Sequence, residues 1–271
     1  MDKTIVIAEI GENHIGNMEI AKKLIKDAAQ AGADFAKFQS YLPENFGNDD
    51  PEYEWFKKVS LTDDQHRELQ SYAKECGIQF MSAPFSLERA KFLCEGLGLK
   101  AVKVASGMML NFSVLDYINW HAQTVFLSTG MATMSEIKDA LSHLTDVERV
   151  YVLHCVTQYP CADEDANILA IQTLKDELAD YRIGYSDHTE GYLAPLAACA
   201  LGAEVIEKHF TFDKKAKEGT DHMLSVEPEE LKGMIAHIRR IEQMRGTGVK
   251  KPGSGEEQIK TFVRNRFKES K

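Results

Sequence analysis

Short strand-like runs and helical runs alternate along this chain eight times over, and few folds can accept that pattern. The run KTIVIAEIG (3–11) is β-branched and stopped by glycine. In NMEIAKKLIKDAAQAGA (17–33), Ile20, Leu24, Ala28 and Ala31 recur at helical spacing, with Gly32 placed as a C-cap. FAKFQSY (35–41), IQFMSAP (78–84), AVKVAS (101–106) and TVFLSTG (124–130) read as further strands. Between them lie the helical patterns LTDDQHRELQSYAKECG (61–77), SLERAKFLCEGLG (86–98) and FSVLDYINW (112–120). TMSEIKDALSHL (133–144) and ANILAIQTLKDEL (166–178) are helices around the strand VYVLHC (150–155). RIGYSDH (182–188) and VIEKHFT (205–211) are strands separated by an alanine-rich helix, and PEELKGMIAHIRRIEQM (228–244) closes the series. Eight β/α pairs in about 245 residues predict a (β/α)₈ TIM barrel forming a single domain over 1–250, followed by a C-terminal tail or linker over 251–271. A doubly wound sheet is the runner-up, but EIGENHIGN follows the first strand where a dinucleotide fold would carry GxGxxG.

Charge and cysteine content narrow the partners. A formal charge of −10 argues against nucleic acid, whose phosphates require a basic surface. The five cysteines are odd in number and lack metal-binding spacing. With no signal peptide and no long apolar run, the expectation is free thiols in the cytoplasm and no membrane partner.

In a barrel every strand ends on one face, where catalytic groups gather. His188 and His209 close neighbouring strands at matching points and can reach one divalent transition metal ion. Lys37 and Lys103 lie within strands, where a buried ammonium needs a partner. They are candidates to grip an anion with Ser106, Ser128 and Ser186 as hydroxyl donors, or to form structural ion pairs with Glu9 or Glu207. Gln39, Ser82, Thr157 and Tyr159 also stand at strand ends, and Asp221 follows the eighth strand. Glu9 is the carboxylate placed for proton transfer.

The runs EIGENHIGN, AKFQS, FMSAPFS, VKVASG, FLSTGM, LHCVTQYP, GYSDHT and EKHFT followed by GTDHMLSVEP resemble, in order, the N-acetylneuraminate (sialic acid) synthase family over about residues 4–255. The resemblance implies metal-dependent condensation of phosphoenolpyruvate with an aldose, giving a 2-keto-3-deoxy acid and phosphate. It implies manganese, with magnesium or cobalt as substitutes, on His188 and His209. Lys37, Lys103, Ser106, Ser128 and Ser186 would surround phosphoenolpyruvate, and Glu9, Tyr159 and Asp221 would be the catalytic groups facing the sugar or the metal-bound water. Where the family carries a glutamate after Ser-Gly, this chain has Met108, and two donor positions read Ala83 and Thr157, with Ser82 as a substitute donor. The family's C-terminal antifreeze-like domain is not expected in 251–271, so either a separate lid protein closes the site, or the sugar is recognised differently, or the natural chain is longer; a homodimer is a further expectation from the resemblance. The competing expectations are a metal-assisted aldolase or lyase on the same barrel, and a non-catalytic homologue that binds a sugar or a partner.

Overall fold

In β1 (Ile5–Gly11) Val6, Ala8 and Ile10 face one way and Ile7 and Glu9 the other, as the two-residue period of a strand buried on both faces demands. The first set packs with Leu24, Ile25 and Ala28 of helix α1 (Met18–Ala31). Ile7 instead joins Phe35, Met81, Phe126, Tyr151, Leu153 and Val205 in a separate cluster inside the sheet. Two concentric cores are what a filled barrel requires. The computed structural model describes residues 3–47, 49–219 and 221–267, so residues 268–271 of the expected tail and Thr220 of the expected loop lie outside the described residues.

The other strands are β2 (Phe35–Ser40), β3 (Gln79–Pro84), β4 (Ala101–Val104), β5 (Thr124–Ser128), β6 (Arg149–Cys155), β7 (Arg182–Asp187) and β8 (Val205–His209). They form one eight-stranded parallel sheet in the order β3-β2-β1-β8-β7-β6-β5-β4. β3 and β4, at the two ends of that order, lie against each other, so the barrel is nearly closed.

Around it run α2 (Tyr53–Val59), α3 (Asp63–Cys76), α4 (Leu87–Lys91, continued by a π turn over Phe92–Gly96), α5 (Phe112–His121) and α6 (Met134–Ser142). The ring is completed by α7 (Ala170–Glu177), α8 (Leu193–Ala200) and α9 (Pro228–Met244). Local chemistry sets where these helices begin. Asn17 caps α1 through its side chain, Thr62 with Gln65 and Thr133 with Glu136 make capping boxes on α3 and α6, and Pro228 stands in the first turn of α9.

Three expectations differ from what is found. Strands were read too long at their C-terminal ends: β4 stops at Val104 before a 3₁₀ turn over Ser106–Met108, and β8 stops at His209. Helix α2 had no counterpart in the sequence reading. The stretch 251–267, read as a tail or linker, contains a further helix, α10 (Ser254–Arg266), none of whose side chains is buried. All five cysteines are free thiols. Among the described residues no helix is long and apolar enough to cross a membrane.

Candidate active site

The inward residues change character along the barrel axis. Above the apolar layer of Ile7, Phe35, Met81 and Phe126 comes a layer of charge: Glu9 on β1, Lys37 on β2, Lys103 on β4 and Glu207 on β8, each less than 5% exposed. Lys37 Nζ lies 2.7 Å from Glu9 Oε2 and 3.7 Å from Glu207 Oε2. Lys103 Nζ lies 3.4 Å from Glu207 Oε1, which also accepts from Ser186 Oγ at 2.8 Å. Both ion-pair partners weighed for the lysines from sequence are thus present.

The two carboxylates separate in acidity. Burial drives the Glu9 carboxyl up to about 7; Lys37 opposes this and the Glu207 charge adds to it. Burial acts on Glu207 in the same sense, but Lys103, Lys37 and the Ser186 hydroxyl together hold it below the usual carboxylate range. For Lys37 burial is outweighed by Glu207 and Glu9, so its ammonium is held above the usual range. In Lys103 burial wins and the value falls. The layer therefore keeps Glu207 ionised, while Glu9 exchanges a proton near neutrality.

A cavity of about 500 Å³ opens above this layer. Glu9, Lys37, Gln39, Lys103, Ser106 and Ser128 line it, as do Thr157, Tyr159, Ser186, His188, His209 and Asp221. Of the site residues predicted from sequence only Ser82 is missing. Alternation explains the miss: on β3 Met81 belongs to the inner cluster and Phe80 to the outer one, and Ser82 pairs in register with Phe38, another outer residue. Ser82 is therefore buried on the strand face that carries Phe80, away from the cavity.

Met108 is likewise no part of the wall. It packs into the outer hydrophobic core, while Gly107 beside it lines the cavity. Sequence reading had weighed Glu207 only as an ion-pair partner and had left Cys155 and Phe85 off the site, and all three line it. The signal for Glu207 was available, since it stands two residues before His209 on the same strand face.

Hydroxyls on the β4, β5 and β6 side are closely set. The Ser106 hydroxyl accepts from the backbone N–H of Gly130 at 3.0 Å. A Cβ at residue 130 would fall onto Thr157 Oγ1 and come 2.8 Å from Ser106 Oγ, so any side chain there would displace these hydroxyls. Ser128 Oγ is buried without a hydrogen-bond partner. A buried hydroxyl left unpaired at a cavity wall is a donor held ready for a ligand.

On the opposite rim the His188 and His209 rings stand 5.2 Å apart between centroids, inclined at 64°. The Tyr159 ring covers His188 at 4.1 Å. His188 Nδ1 lies 2.6 Å from the carbonyl of Val156; a carbonyl only accepts, so Nδ1 carries the proton and Nε2 is the nitrogen left for a ligand when the ring is neutral. Burial lowers the His188 value, but the Cys155 side chain and the Val156 carbonyl outweigh it and hold the imidazole above its ordinary range. His209 is neutral, since burial and then the charges of His188 and Lys37 hold it well below the ordinary imidazole value. Its Nδ1 makes no hydrogen bond and lies 3.4 Å from Asp221 Oδ2. Among the described residues no three His, Cys, Asp or Glu side chains are grouped to hold a metal ion. The two imidazoles still fit a divalent ion whose remaining ligands are water or substrate oxygen.

Known proteins resemble the chain over most of its length. The chain is 42% identical to the N,N'-diacetyllegionaminic acid synthase of Campylobacter jejuni, across 97% of this chain and 84% of that protein. It is 36% identical to the N-acetylneuraminate-9-phosphate synthase of Mus musculus, across 90% of this chain and 72% of that protein. The crystal structure of the N-acetylneuraminic acid (sialic acid) synthetase from Leptospira borgpetersenii serovar Hardjo-bovis, in complex with citrate, matches with a TM-score of 0.91 at 34% identity, covering 99% of this chain and 94% of that one. The model of the NeuB family matches residues 24–250, and the chain belongs to the NeuB family.

Proposed function

We propose that this enzyme condenses phosphoenolpyruvate with an aldose of the N-acylated hexosamine type, forming a 2-keto-3-deoxy sugar acid and inorganic phosphate. The observation that carries the reading is the pair of buried ammoniums, Lys37 and Lys103, under a cavity rimmed by two imidazoles. With Glu9 protonated, the floor holds two positive charges against Glu207 alone and favours a small anion. Lys37 and Lys103 bind the carboxylate and phosphate, and the hydroxyls of Ser106, Ser128, Thr157 and Ser186 orient them. Gln39, Tyr159 and Asp221 face the sugar.

His188 and His209 are the residues that would hold a divalent ion, manganese by resemblance with magnesium or cobalt as substitutes. Bound there, the ion supplies Lewis-acid polarisation of the aldehyde. In the first step the alkene carbon of phosphoenolpyruvate forms a bond to the aldehyde carbon, and the aldehyde oxygen takes a proton. Glu9, titrating at about 7, is the group able to provide it. Water then adds at the carbon bearing the phosphate, releasing one proton, and the carbon–oxygen bond to phosphate breaks.

Phosphoenolpyruvate labelled with ¹⁸O at the bridging oxygen tests this course. One labelled phosphate per molecule of 2-keto acid is the expected result. Label retained in the organic product would overturn the proposed bond cleavage.

A further inference from the structure

The excursion between β2 and α3 contributes no group to the chemistry above, yet it is tied to the cavity wall in three ways. First, the Tyr41 hydroxyl donates to Glu12 Oε1 at 2.5 Å, and Trp55 Nε1–H donates to Glu12 Oε2 at 2.6 Å. Both oxygens of one carboxylate on the β1–α1 loop are thereby engaged by the excursion. Second, Trp55 lies against Gly219 of the β8–α9 loop: φ there is +90°, and a Cβ would stand 3.1 Å from Trp55 Cζ2. Lys58 on α2 also pairs with Glu218 of the same loop. Third, the Tyr41 ring meets Phe46, Phe56 and Phe85 edge-on at 5.3, 5.7 and 6.0 Å. Phe85 and Asp221 are both cavity-lining residues.

We propose that Glu12 and Trp55 are positioning residues: one carboxylate and one indole join the β1–α1 loop, the excursion and the β8–α9 loop, fix where Asp221 stands, and thereby set affinity for the aldose rather than for phosphoenolpyruvate. The inference rests on the reading of the cavity given above and identifies which part of the chain shapes its sugar-facing wall. Hydrogen bonds to an ionised acceptor are about twice as strong as neutral ones, and a half-buried carboxylate that loses a donor is left with an unpaired lone pair. Both effects make the junction stiff. Its influence is one-sided, since among the described residues the ion pairs of Lys37 and Lys103 run to Glu9 and Glu207 and the Ser106 hydroxyl bonds to Gly130, none of them on the excursion.

Two variants separate positioning from folding. W55F keeps an aromatic ring beside Gly219 and removes the N–H donor; E12Q keeps the size of the side chain and leaves an acceptor for only one of the two donors. Phosphate release, with each substrate varied in turn, and hydrogen exchange of the β8–α9 loop are the readouts. Each variant should raise KM for the aldose about 5- to 50-fold, hold KM for phosphoenolpyruvate within about twofold, and speed exchange in that loop while β1 and β2 exchange as before. Equal changes in both KM values, or unchanged exchange in the loop, overturn the proposal. If the wild-type chain releases no phosphate with any aldose, the reading of the chemistry fails, and loop exchange alone then decides the positioning role.

Discussion

Glu207 shows how one side chain can set the behaviour of a site. It neutralises part of the charge of two ammoniums and raises the proton affinity of Glu9, which puts the proton of the charge layer on Glu9. Removing one of its partners should be costly for binding while the barrel survives. Lys103→Met is expected to raise KM for phosphoenolpyruvate by about 100-fold, roughly 3 kcal/mol, as for other buried charge-assisted contacts. A KM within threefold of wild type would contradict Lys103 as an anion ligand. Met108 has a different role from the one its position in the sequence suggested. Because it packs in the outer core, Met108→Glu should not restore a catalytic carboxylate. It should destabilise the barrel by roughly 2–4 kcal/mol, whereas Met108→Leu should cost less than about 1.5 kcal/mol. Urea unfolding of the two variants checks this, and a stable, more active Met108→Glu enzyme would refute it.

Among the elements, the strands and their order were legible because β-branched runs, glycine stops and helical spacing agree with one another from 3 to 244. The cavity residues were legible for the same reason, since a strand's end in a barrel is also a site position. Ser82 was misplaced because being near the end of a strand says nothing of which face a side chain takes; counting from Met81 would have turned it outward. Helix α2 was hidden in LPENFGNDDPEYEWF, where proline, glycine, asparagine and aspartate mask its short apolar pattern. That helix is held by tertiary contacts, including the Phe46–Phe56 stack at 4.1 Å and the Trp55–Glu12 bond. Helix α3 carries a testable pH response. His66, wholly buried, gives Nδ1–H to the Thr62 carbonyl; burial lowers its value to about 4, against the opposing effect of that carbonyl, with Arg89 and Asp63 as the nearest charges. Its folded-state value lies below the ordinary 6.5, so the unfolded chain takes up the proton first. The contribution is full above 6.5 and is lost as pH falls towards 4. His66→Leu should therefore reduce the loss of stability between pH 7 and pH 4 by roughly 2–4 kcal/mol. An unchanged pH slope in urea unfolding would contradict this.

For the molecule as a whole, the barrel supplies two cores and a charged layer over the inner one, and the loops supply the rim. Helix α10 adds nothing to either core, with Ile259, Phe262, Val263 and Phe267 all exposed along it. Ending the chain after Lys251 should leave the unfolding free energy within about 0.5 kcal/mol of the full chain; a larger fall would assign α10 a packing role. The central claim concerns the chemistry at the strand ends, and release of phosphate from phosphoenolpyruvate tests it most directly. The assay runs with manganese across aldoses with and without N-acyl and phosphate groups, and is repeated with chelator. Release that needs one class of aldose, and stops when the metal is removed, is the predicted result. No release with any aldose, or release that continues undiminished in chelator and without sugar, would contradict the account.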